Sequence, residues 1–294
     1  MRLLIFGGGG QLGRELSREA TRTGLVSTSF EHGQVSITDA ALVSETIATS
    51  DTDFVVNAAA YTAVDRAESE SDRAFEVNRD GPRHLARACA QRGIPLLHVS
   101  TDYVFDGSKA SAYVEDDPIQ PLGVYGASKA AGEAAVRDAL REHFILRTSW
   151  VFSAFGNNFV KTMLRLARER DELRVVADQH GRPTATRDLA LAILEVVRQY
   201  RSGGRQFGTF HFANAGGTTW YEFANAIVQQ QAPLTGRAPR VVPITTAEYP
   251  TPARRPANSE LDTSRFERAF AHSPRHWRAG LAEVLDELLG ARAT

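Results

Sequence analysis

The chain has 294 residues, 43% of them hydrophobic, which is enough to fill the core of one large domain or of two unequal ones. Its 34 Lys and Arg side chains nearly balance its 35 Asp and Glu side chains, and the formal net charge is -1. No global field therefore draws the protein to a nucleic-acid polymer or to an anionic membrane, and we expect neither as a partner.

The cysteine content and the N-terminal segment indicate a cellular compartment. Cys89 is the single cysteine, so an intramolecular disulfide is excluded, and we expect it to be a small buried thiol. The first apolar run ends at Phe6, too early for a signal peptide. These features predict a cytoplasmic protein.

Short apolar runs of strand length alternate with amphipathic segments from the N-terminus onward. The runs are LLIF, DFVVNAAA, PLLHVS and FILRTSWVF. Strands of a parallel sheet that is covered on both faces are apolar throughout, as these runs are. Right-handed crossovers between such strands produce a doubly wound fold. The sequence therefore predicts an α/β protein built on a doubly wound, Rossmann-like parallel sheet.

Four consecutive glycines follow the first predicted strand, within RLLIFGGGGQLGRELSREA at residues 2–20. Gly7, Gly10 and Gly13 fit G-x-x-G-x-x-G, and Gly8, Gly10 and Gly13 fit G-x-G-x-x-G. Glycines at a strand-to-helix turn let the backbone approach a pyrophosphate, whose charge then meets the amides of the helix N-terminus. The segment predicts a dinucleotide-binding loop, and the alternative is a tight turn without a ligand.

A ribose-binding acid is expected about 20 residues beyond such a loop. In VSTSFEHG the only acid is Glu31, and no arginine lies beside it to accept a 2′-phosphate. The sequence therefore leaves both NADH and NADPH as candidate cofactors. The alternative to a ribose-binding role is that Glu31 is a solvated surface residue.

The segment VYGASKAAGE places Tyr125 and Lys129 four residues apart, on one face of a predicted helix. A lysine ammonium beside a phenol lowers the pKa of the phenol toward the working pH, which makes Tyr125 a proton donor for carbonyl reduction. Ser100 and Thr101 end the strand in LLHVSTDYVF, where a hydroxyl can hold the substrate oxygen. The alternatives are an exposed helical pair and a strand-end hydroxyl that caps the local backbone.

The second half of the chain has a different pattern of predicted elements. The helical stretches NNFVKTMLRLARERDEL, TRDLALAILEVVRQY and TTWYEFANAIVQQQ are mixed with short strands and with the proline-rich YPTPARRPANS. We predict a dinucleotide-binding domain over residues 1–150 and a smaller α/β substrate-binding lobe over residues 151–294. A segment near residues 173–213 is expected to return to the first domain, and the cleft between the lobes is expected to hold the site.

Several motifs in order span nearly the whole chain: the glycine loop, NAAAYTAVDRAE, STDYVFDG, YGASKAAGE, LRTSWVF, GNNFVKTMLRLA and YPTPARRPANS. Together they resemble the extended short-chain dehydrogenase/reductases and, within that superfamily, the dTDP-4-dehydrorhamnose reductase family. The resemblance implies that NADH or NADPH reduces the C4 ketone of dTDP-4-dehydro-L-rhamnose to give dTDP-L-rhamnose, with the sugar nucleotide in the smaller lobe. It implies that Tyr125 protonates the ketone oxygen, that Lys129 tunes Tyr125 and binds ribose, and that Thr101 hydrogen-bonds the reacting oxygen.

The resemblance also implies a larger set of binding residues. Those expected at the cofactor are Gly7, Gly10, Gln11, Leu12, Gly13, Ser36, Ile37, Ala60, Tyr61, Thr62, Val99, Tyr125 and Lys129, with residues 60–62 following the fourth strand. Those expected at the substrate are Thr101, Asp102, Trp150, Arg254 and Arg255. Relatives carry an acidic and an aromatic residue near the adenine where this chain has Ser36 and Ile37, which again leaves the preferred nicotinamide open.

Three of the substrate residues have an alternative role. The plane of Trp150 suits a deoxyhexose, although a tryptophan at a strand end also packs in cores. The guanidinium groups of Arg254 and Arg255 match a diphosphate, or they brace their loop against carboxylates.

A magnesium site is one family feature that this sequence argues against. Some members bind Mg²⁺ through acids at a dimer contact, so a homodimer is the expected assembly. Glu15 matches one of those acids, but Arg187 occupies a second position, where it would repel the ion and pair with Glu15. We therefore predict that Mg²⁺ is dispensable. Asp188, the acid next to Arg187, leaves a magnesium site as the alternative. The eight histidines show no paired spacing typical of a zinc site, so we predict no resident metal.

Other functions share parts of this pattern. A nucleotide-sugar dehydratase would place Asp-Glu directly after the active-site threonine, whereas Asp102 and Tyr103 follow Thr101. A nucleotide-sugar 4-epimerase shares the tyrosine, lysine and threonine and stays an alternative. A non-catalytic NAD(P)-binding regulatory subunit of a methionine adenosyltransferase is the alternative from a different class of protein.

Overall fold

The structure, a computed structural model, describes residues 1–290. Its strands are β1 (Arg2–Phe6), β2 (Val26–Phe30), β3 (Phe54–Asn57), β4 (Leu96–Thr101), β5 (His143–Thr148), β6 (Val151–Phe152), β7 (Glu172–Val176), β8 (His180–Gly181), β9 (Thr184–Ala185), β10 (Gly208–His211), β11 (Thr218–Thr219) and β12 (Arg240–Ile244). Its helices are α1 (Gln11–Arg22), α2 (Ala40–Thr49), α3 (Val64–Ala67), α4 (Ser71–Phe75), α5 (Gly81–Arg92), α6 (Val124–Ala139), α7 (Phe159–Glu169), α8 (Thr186–Arg201), α9 (Trp220–Thr235), α10 (Ser264–Phe270) and α11 (Trp277–Leu289). A π-helical turn (Glu76–Asp80) joins α4 to α5, and 3-10 turns cover Asp102–Val104 and Thr246–Glu248.

Six strands form one parallel sheet in the order β10-β5-β4-β3-β1-β2. The chain passes from β1 to β2 on one side and then crosses to β3 on the other side, so the strand order reverses between β1 and β3. This reversal opens a crevice at the carboxyl ends of these two strands, where α/β proteins bind ligands. The predicted doubly wound, Rossmann-like α/β fold is confirmed.

Successive residues of a sheet strand contribute to two different cores, because their side chains alternate between the faces. Leu3 and Ile5 pack with residues of α1 and α8 on one face, and Leu4 and Phe6 pack with residues of α2, α5 and α6 on the other. Cys89 lies in the second of these cores and is fully buried, as predicted.

A third core lies outside the six-stranded sheet and joins α7, α9 and α11 to the β7–β12 pair. Within the segment 173–213, α8 covers the large sheet and β10 forms one of its edges. β7 does not return with them, because Leu173 and Val175 pack in the third core. Phe266 and Phe270 of α10, by contrast, pack on the sheet core. The division of the chain into two domains stays a prediction. No helix within residues 1–290 combines the length and the apolar character that crossing a membrane requires.

Candidate active site

A cavity of about 740 Å³ lies at the carboxyl ends of β1, β3 and β4, where the strand order reverses. Its wall also includes Trp220, from the start of α9 in the third core region. Most of the predicted site residues line this cavity: Gly7, Gly10, Gln11, Leu12, Ser36, Ile37, Ala60, Tyr61, Thr62, Val99, Thr101, Asp102, Tyr125, Lys129 and Trp150. Gly13, Arg254 and Arg255 are not among the lining residues.

The glycine loop is shaped for close backbone approach. Gly7 has φ +90°, and a Cβ there would lie 2.5 Å from the amide nitrogen of Ala59. Gly10 precedes α1 without a side-chain cap, and the first turn of α1 contains no acidic residue. The open amides and positive dipole end of α1 therefore point toward a position suited to a pyrophosphate.

Gln11 connects this loop to the GNNF motif. Its Oε1 accepts from Asn158 Nδ2 at 3.0 Å and from Ser153 Oγ at 3.2 Å, and its Nε2 donates to the Asn157 carbonyl at 3.3 Å. The first residue of α1 is thus held by the segment between β6 and α7. The motif resemblance noted GNNF but gave it no physical role, because the contact spans more than 140 residues of sequence.

The loop at residues 60–62 follows β3, the third strand, and not the fourth strand as predicted. The prediction was wrong because it assumed three strands before the one that leads into this loop, whereas only β1 and β2 precede β3 in the chain. Asn78 holds this loop, since its Oδ1 accepts from the Tyr61 amide at 2.8 Å and its Nδ2 donates to the Tyr61 carbonyl at 3.0 Å. Sequence analysis missed Asn78, whose only signal is one amide side chain within the helical stretch FEVNRDGP.

Tyr125 and Lys129 lie in the first two turns of α6, as the spacing predicts. Lys129 is 2% exposed, and its Nζ donates to the Val99 carbonyl at 2.7 Å. The Nε2 atom of His98 lies 3.4 Å from the same Nζ. Burial lowers the pKa of Lys129 to about 8, against a raising effect of Glu133. Lys129 is therefore still mostly protonated at neutral pH.

His98 is a second residue that sequence analysis missed. Its Nδ1 lies 3.0 Å from Asn57 Nδ2, and Asn57 Oδ1 accepts from the Ala59 amide, which orients the Asn57 side chain so that Nδ2 donates to the imidazole. Burial, and then the charge of Lys129, lowers the pKa of His98 well below its usual range. We assign His98 as neutral, with its one proton on Nε2, facing Lys129.

Tyr125 holds its proton firmly in this cavity. Burial raises the pKa of Tyr125 to about 12, while the hydrogen bond with Thr101 lowers it and the charge of Asp102 raises it. The prediction that Lys129 brings this pKa toward neutrality is wrong here, because burial outweighs the other influences and the ammonium donates to Val99. With this pKa Tyr125 keeps its proton at neutral pH and so carries the proton that a carbonyl reduction needs, but the raised pKa makes the phenol a weaker acid than an ordinary tyrosine.

Thr101 ends β4, and Asp102 opens the turn that follows. The two residues are 6% and 3% exposed, and Thr101 Oγ1 donates to Asp102 Oδ1 at 2.8 Å. Burial raises the pKa of Asp102 to about 6, against the lowering effects of the Ser259 and Thr101 hydroxyls. Ser100, the other hydroxyl at this strand end, also lines the cavity.

Trp150 lines the cavity but both faces of its ring are covered. It stacks on Trp220, with ring centroids 3.6 Å apart and planes at 11°. A Cβ on Gly181 would lie 2.6 Å from Trp150 Cζ2, 2.8 Å from Nε1 and closer still to Cε2, which is an approach from above the ring. Trp150 also has φ +47°, uncommon for a residue other than glycine. In this arrangement an edge of the indole, and not its plane, meets the cavity; sequence analysis did not identify Trp220.

Arg254 and Arg255 differ in their surroundings. Arg255 donates to both carboxylate oxygens of Asp65, at 2.9 and 3.2 Å. Asp65 also accepts from the Ala253 amide at 3.3 Å, so this pair fastens the TPARRP loop to α3. Arg254 is exposed. The contacts of Arg255 therefore match the alternative role, in which the arginine braces its loop against a carboxylate instead of binding a diphosphate.

The carboxylates of the suspected magnesium position are paired with arginines. Glu15 pairs with Arg18 at 2.6 Å, whereas Arg187 pairs with Glu19 at 3.2 Å and with Glu283 at 3.0 Å. The prediction that Arg187 pairs with Glu15 is therefore wrong, because Arg187 reaches the next turn of α1 instead.

Asp188 is likewise engaged, by Arg275 at 2.7 Å and by Asn214 at 2.8 Å. Within residues 1–290, no three His, Cys, Asp or Glu side chains are grouped so that they could hold a metal ion. Arginines thus pair with Glu15, Glu19 and Asp188 and would compete with a magnesium ion for these carboxylates, whereas Glu15 Oε2 has no hydrogen-bond partner within residues 1–290.

A glycine loop at a helix N-terminus, together with a tyrosine and lysine on one helix face opposite a strand-end threonine, defines the short-chain dehydrogenase/reductase superfamily. Comparison with known proteins identifies the family within this superfamily. Residues 1–289 match the family described as RmlD substrate binding domain. The chain belongs to this family, which confirms the resemblance found in the sequence.

Individual relatives agree with this assignment. The chain is 44% identical to a dTDP-4-dehydrorhamnose reductase of Sinorhizobium fredii, over 98% of this chain and 98% of that protein. A crystal structure of a dTDP-4-dehydrorhamnose reductase from Clostridium acetobutylicum superposes with a TM-score of 0.91 at 37% identity, covering 98% of this chain and 99% of that one. A second, from Bacillus anthracis in complex with NADP, gives 0.90 at 36% identity, covering 97% and 99%.

Proposed function

We propose that the protein reduces the C4 ketone of dTDP-4-dehydro-L-rhamnose with NADH or NADPH and releases dTDP-L-rhamnose. The observation that carries this proposal is the presence of Tyr125, Lys129 and Thr101 in the same cavity as the glycine loop. The names of the relatives support the sugar nucleotide as the substrate. A bound nicotinamide supplies the hydride.

Each group of the cavity has a proposed task in this reaction. Tyr125 donates its proton to the ketone oxygen, and Thr101 hydrogen-bonds that same oxygen. Lys129 stabilises the phenolate that Tyr125 becomes and binds the nicotinamide ribose. Asp102 and the edge of Trp150 contact the sugar.

The remaining predicted residues hold the cofactor and the diphosphate. Gly7, Gly10, Gln11 and Leu12 meet the pyrophosphate with backbone amides, and Gly13 lets α1 pack against them. The adenosine and nicotinamide portions are contacted by Ser36, Ile37, Ala60, Tyr61, Thr62 and Val99. Arg254 is the better candidate for the substrate diphosphate, since Arg255 is engaged by Asp65.

We extend the proposal to the assembly and setting of the protein. Residues 1–150 together with the returning segment bind the dinucleotide, and the rest of residues 151–294 binds the sugar nucleotide. The protein works as a homodimer in the cytoplasm and does not require Mg²⁺, because arginines already neutralise Glu15 and Glu19. Nucleic-acid polymers and membranes are not partners.

The test is the loss of reduced nicotinamide absorbance when dTDP-4-dehydro-L-rhamnose is generated in the assay, with the product identified by NMR. We expect turnover by the wild type and a loss of about 100-fold or more in Tyr125→Phe. Tyr200→Phe is the matched control, because Tyr200 packs against Phe54 and Phe207 away from the cavity. Its rate should equal that of the wild type.

The alternatives predict different results. A 4-epimerase would change the configuration at C4 without net consumption of NADH or NADPH. A regulatory subunit would bind the dinucleotide tightly, show no turnover, and co-purify with a methionine adenosyltransferase. Either outcome would replace the reductase proposal.

A further inference from the structure

His98 connects Asn57, at the end of β3, to Lys129 of α6. Asn57 and His98 are paired residues of neighbouring strands, and both are fully buried. Asn57 Nδ2 lies 3.0 Å from His98 Nδ1, and His98 Nε2 lies 3.4 Å from Lys129 Nζ. The three side chains therefore form a continuous row that ends at the cavity, which Lys129 lines.

The backbone amide of Ala59 fixes the direction of the hydrogen bonds in this row. It donates to Asn57 Oδ1 at 3.0 Å, so the Asn57 side-chain oxygen faces Ala59 and the NH2 group faces the imidazole. Asn57 Nδ2 can only donate, and His98 Nδ1 must therefore be the nitrogen without a proton. A neutral imidazole has one N–H group, which consequently lies on Nε2 and points toward Lys129.

This tautomer gives Lys129 no acceptor on His98. An ammonium has three N–H groups, and within residues 1–290 the acceptor for one of them is the Val99 carbonyl, at 2.7 Å. With the opposite tautomer, His98 Nε2 would offer a lone pair and would hold a second N–H group of Lys129 against the sheet. The observed arrangement leaves two N–H groups of Lys129 for ligands in the cavity.

We propose that Asn57 and His98 are positioning residues for Lys129, because they fix the imidazole proton on Nε2 and so keep the ammonium from being tethered to the sheet. The inference rests on the proposed role of Lys129 in binding the nicotinamide ribose and stabilising the Tyr125 phenolate. The two remaining N–H groups serve those two tasks, one for a ribose hydroxyl and one for the phenolate oxygen. Asn57 and His98 themselves do not line the cavity.

The same contact makes the proton of Lys129 easier to lose. The Nε2–H group of His98 gains an acceptor when Lys129 is a neutral amine, and it faces another donor when Lys129 is charged. Burial also lowers the pKa of Lys129, to about 8, while the charge of Glu133 raises it. Glu133 is itself paired with Arg147 at 2.7 Å. The titratable groups around Lys129 are thus His98 from β4, with Glu133 and Tyr125 from α6.

Two substitutions of Asn57 release the tautomer in different ways. The carboxylate in Asn57→Asp keeps an acceptor for the Ala59 amide but has no N–H group to donate, so the His98 proton should move to Nδ1. Asn57→Ala removes the donor without adding charge, and the Lys129 ammonium then favours the tautomer whose Nε2 accepts. The same ammonium keeps the ring from taking a second proton, because it lowers the pKa of His98.

The direct test is the position of the His98 proton, read from the ¹⁵N chemical shifts of the two ring nitrogens. The His98 signals are assigned by their loss in His98→Gln. We expect the proton on Nε2 in the wild type and on Nδ1 in both Asn57 variants. Asn225→Asp, which adds a carboxylate in α9 away from the cavity lining, should keep the wild-type pattern.

NADH affinity tests the consequence without turnover. A tethered ammonium loses its hydrogen bond to the ribose, so Kd should rise about tenfold in both Asn57 variants. Repulsion of the cofactor by the added carboxylate would instead weaken binding in Asn57→Asp alone. Asn225→Asp should keep the wild-type Kd within a factor of about two.

The pH dependence of kcat separates positioning from a general loss of structure. The ammonium of Lys129 is the active form, so wild-type kcat should fall as pH rises through about 8. In Asn57→Asp the imidazole accepts from the ammonium and a negative charge is added, and both effects raise the pKa of Lys129. The falling limb should therefore move to higher pH by about one unit or more, while kcat below the limb is about tenfold lower.

The proposal is overturned if wild-type His98 carries its proton on Nδ1, or if the proton moves in both Asn57 variants while NADH affinity and the pH profile stay at wild-type values. If neither variant folds, the wild type decides it, by a proton on Nε2 together with a limb near pH 8. Lys129→Met tests the underlying role separately. Unchanged NADH affinity and kcat in that variant would remove Lys129 from the proposed function, whereas the wild-type ¹⁵N spectrum would still report the tautomer.

Discussion

Gly13 in α1 packs directly against the backbone of Gly7 in the loop that precedes it. A Cβ on Gly13 would lie 2.8 Å from both the Gly7 carbonyl carbon and the Gly8 Cα, and closer still to the Gly7 carbonyl oxygen. Gly13 therefore acts behind the loop, by setting the distance between α1 and β1, and this explains why it does not line the cavity.

Gly13→Ala should displace the loop from the pyrophosphate position. We expect a loss of about 1–3 kcal/mol in the free energy of unfolding from overpacking. The Kd for NADH should rise about tenfold or more, because the backbone amides no longer converge. Gly290→Ala is the control, since no atom of the other residues within 1–290 lies within 4 Å of its added Cβ. Unchanged cofactor affinity in Gly13→Ala would show that the loop does not depend on this contact.

Glu31 should favour NADH over NADPH. It follows β2 directly, and its Cδ would lie 3.1 Å from a Cβ on Gly9, so the carboxylate sits over the glycine loop where an adenosine ribose is expected. A 2′-phosphate there would meet like charge, and we expect Glu31→Ser to improve NADPH affinity relative to NADH by about tenfold. Fluorescence titration measures both Kd values. Glu45→Ser, an exposed carboxylate removed from α2, should change neither; an unaltered ratio in Glu31→Ser would exclude this role.

Arg255 and Arg254 should affect different properties. Arg255→Ala removes the partner of Asp65 and loosens the TPARRP loop. A double-mutant cycle with Asp65→Asn should give a coupling of about 1 kcal/mol or less in unfolding free energy, because the pair is partly open to solvent. Arg254→Ala should leave stability unchanged and weaken dTDP binding if its exposed guanidinium meets the diphosphate. Equal dTDP affinity in Arg254→Ala and wild type would remove Arg254 from the substrate site.

Asp102 should make stability depend on pH. Its folded pKa of about 6 lies above the ordinary value of 3.8, so the folded state binds the proton more tightly than the unfolded state does. The stabilisation is complete below pH 3.8 and is lost as pH rises through about 6. Relative to wild type, Asp102→Asn should therefore gain stability on going from pH 4 to pH 8, by roughly 2 kcal/mol. Urea unfolding at both pH values measures this gain, and a constant difference would show that Asp102 ionises freely.

Removal of divalent cations should leave the enzyme unchanged. Arg18 and Arg187 already pair with Glu15 and Glu19 on α1. We expect the same turnover and the same thermal midpoint in EDTA and in excess Mg²⁺. A loss in EDTA that Mg²⁺ restores would show that these ion pairs give way to the metal.

The local motifs could be read from the sequence because they depend on short-range geometry. Glycine spacing after an apolar run specifies a strand–turn–helix unit, and a four-residue interval places Tyr125 and Lys129 on one face of α6. The apolar runs likewise predicted the parallel sheet, since a strand that is buried on both faces is apolar at nearly every position.

Other features depended on which elements the fold brings together. Arg187 pairs with Glu19 and not with Glu15. Arg187 and Glu19 are 168 positions apart, and no spacing in the sequence specifies which of the two glutamates it contacts. The covering of Trp150 by Trp220 and the proton affinity of Asp102 and Tyr125 also come from packing.

The sequence by itself thus determined the fold class and predicted which groups react, because both depend on patterns over a few neighbouring residues. Only the tertiary structure decided the partners and proton affinities of those groups, because desolvation and ion pairing depend on chain segments that meet through folding.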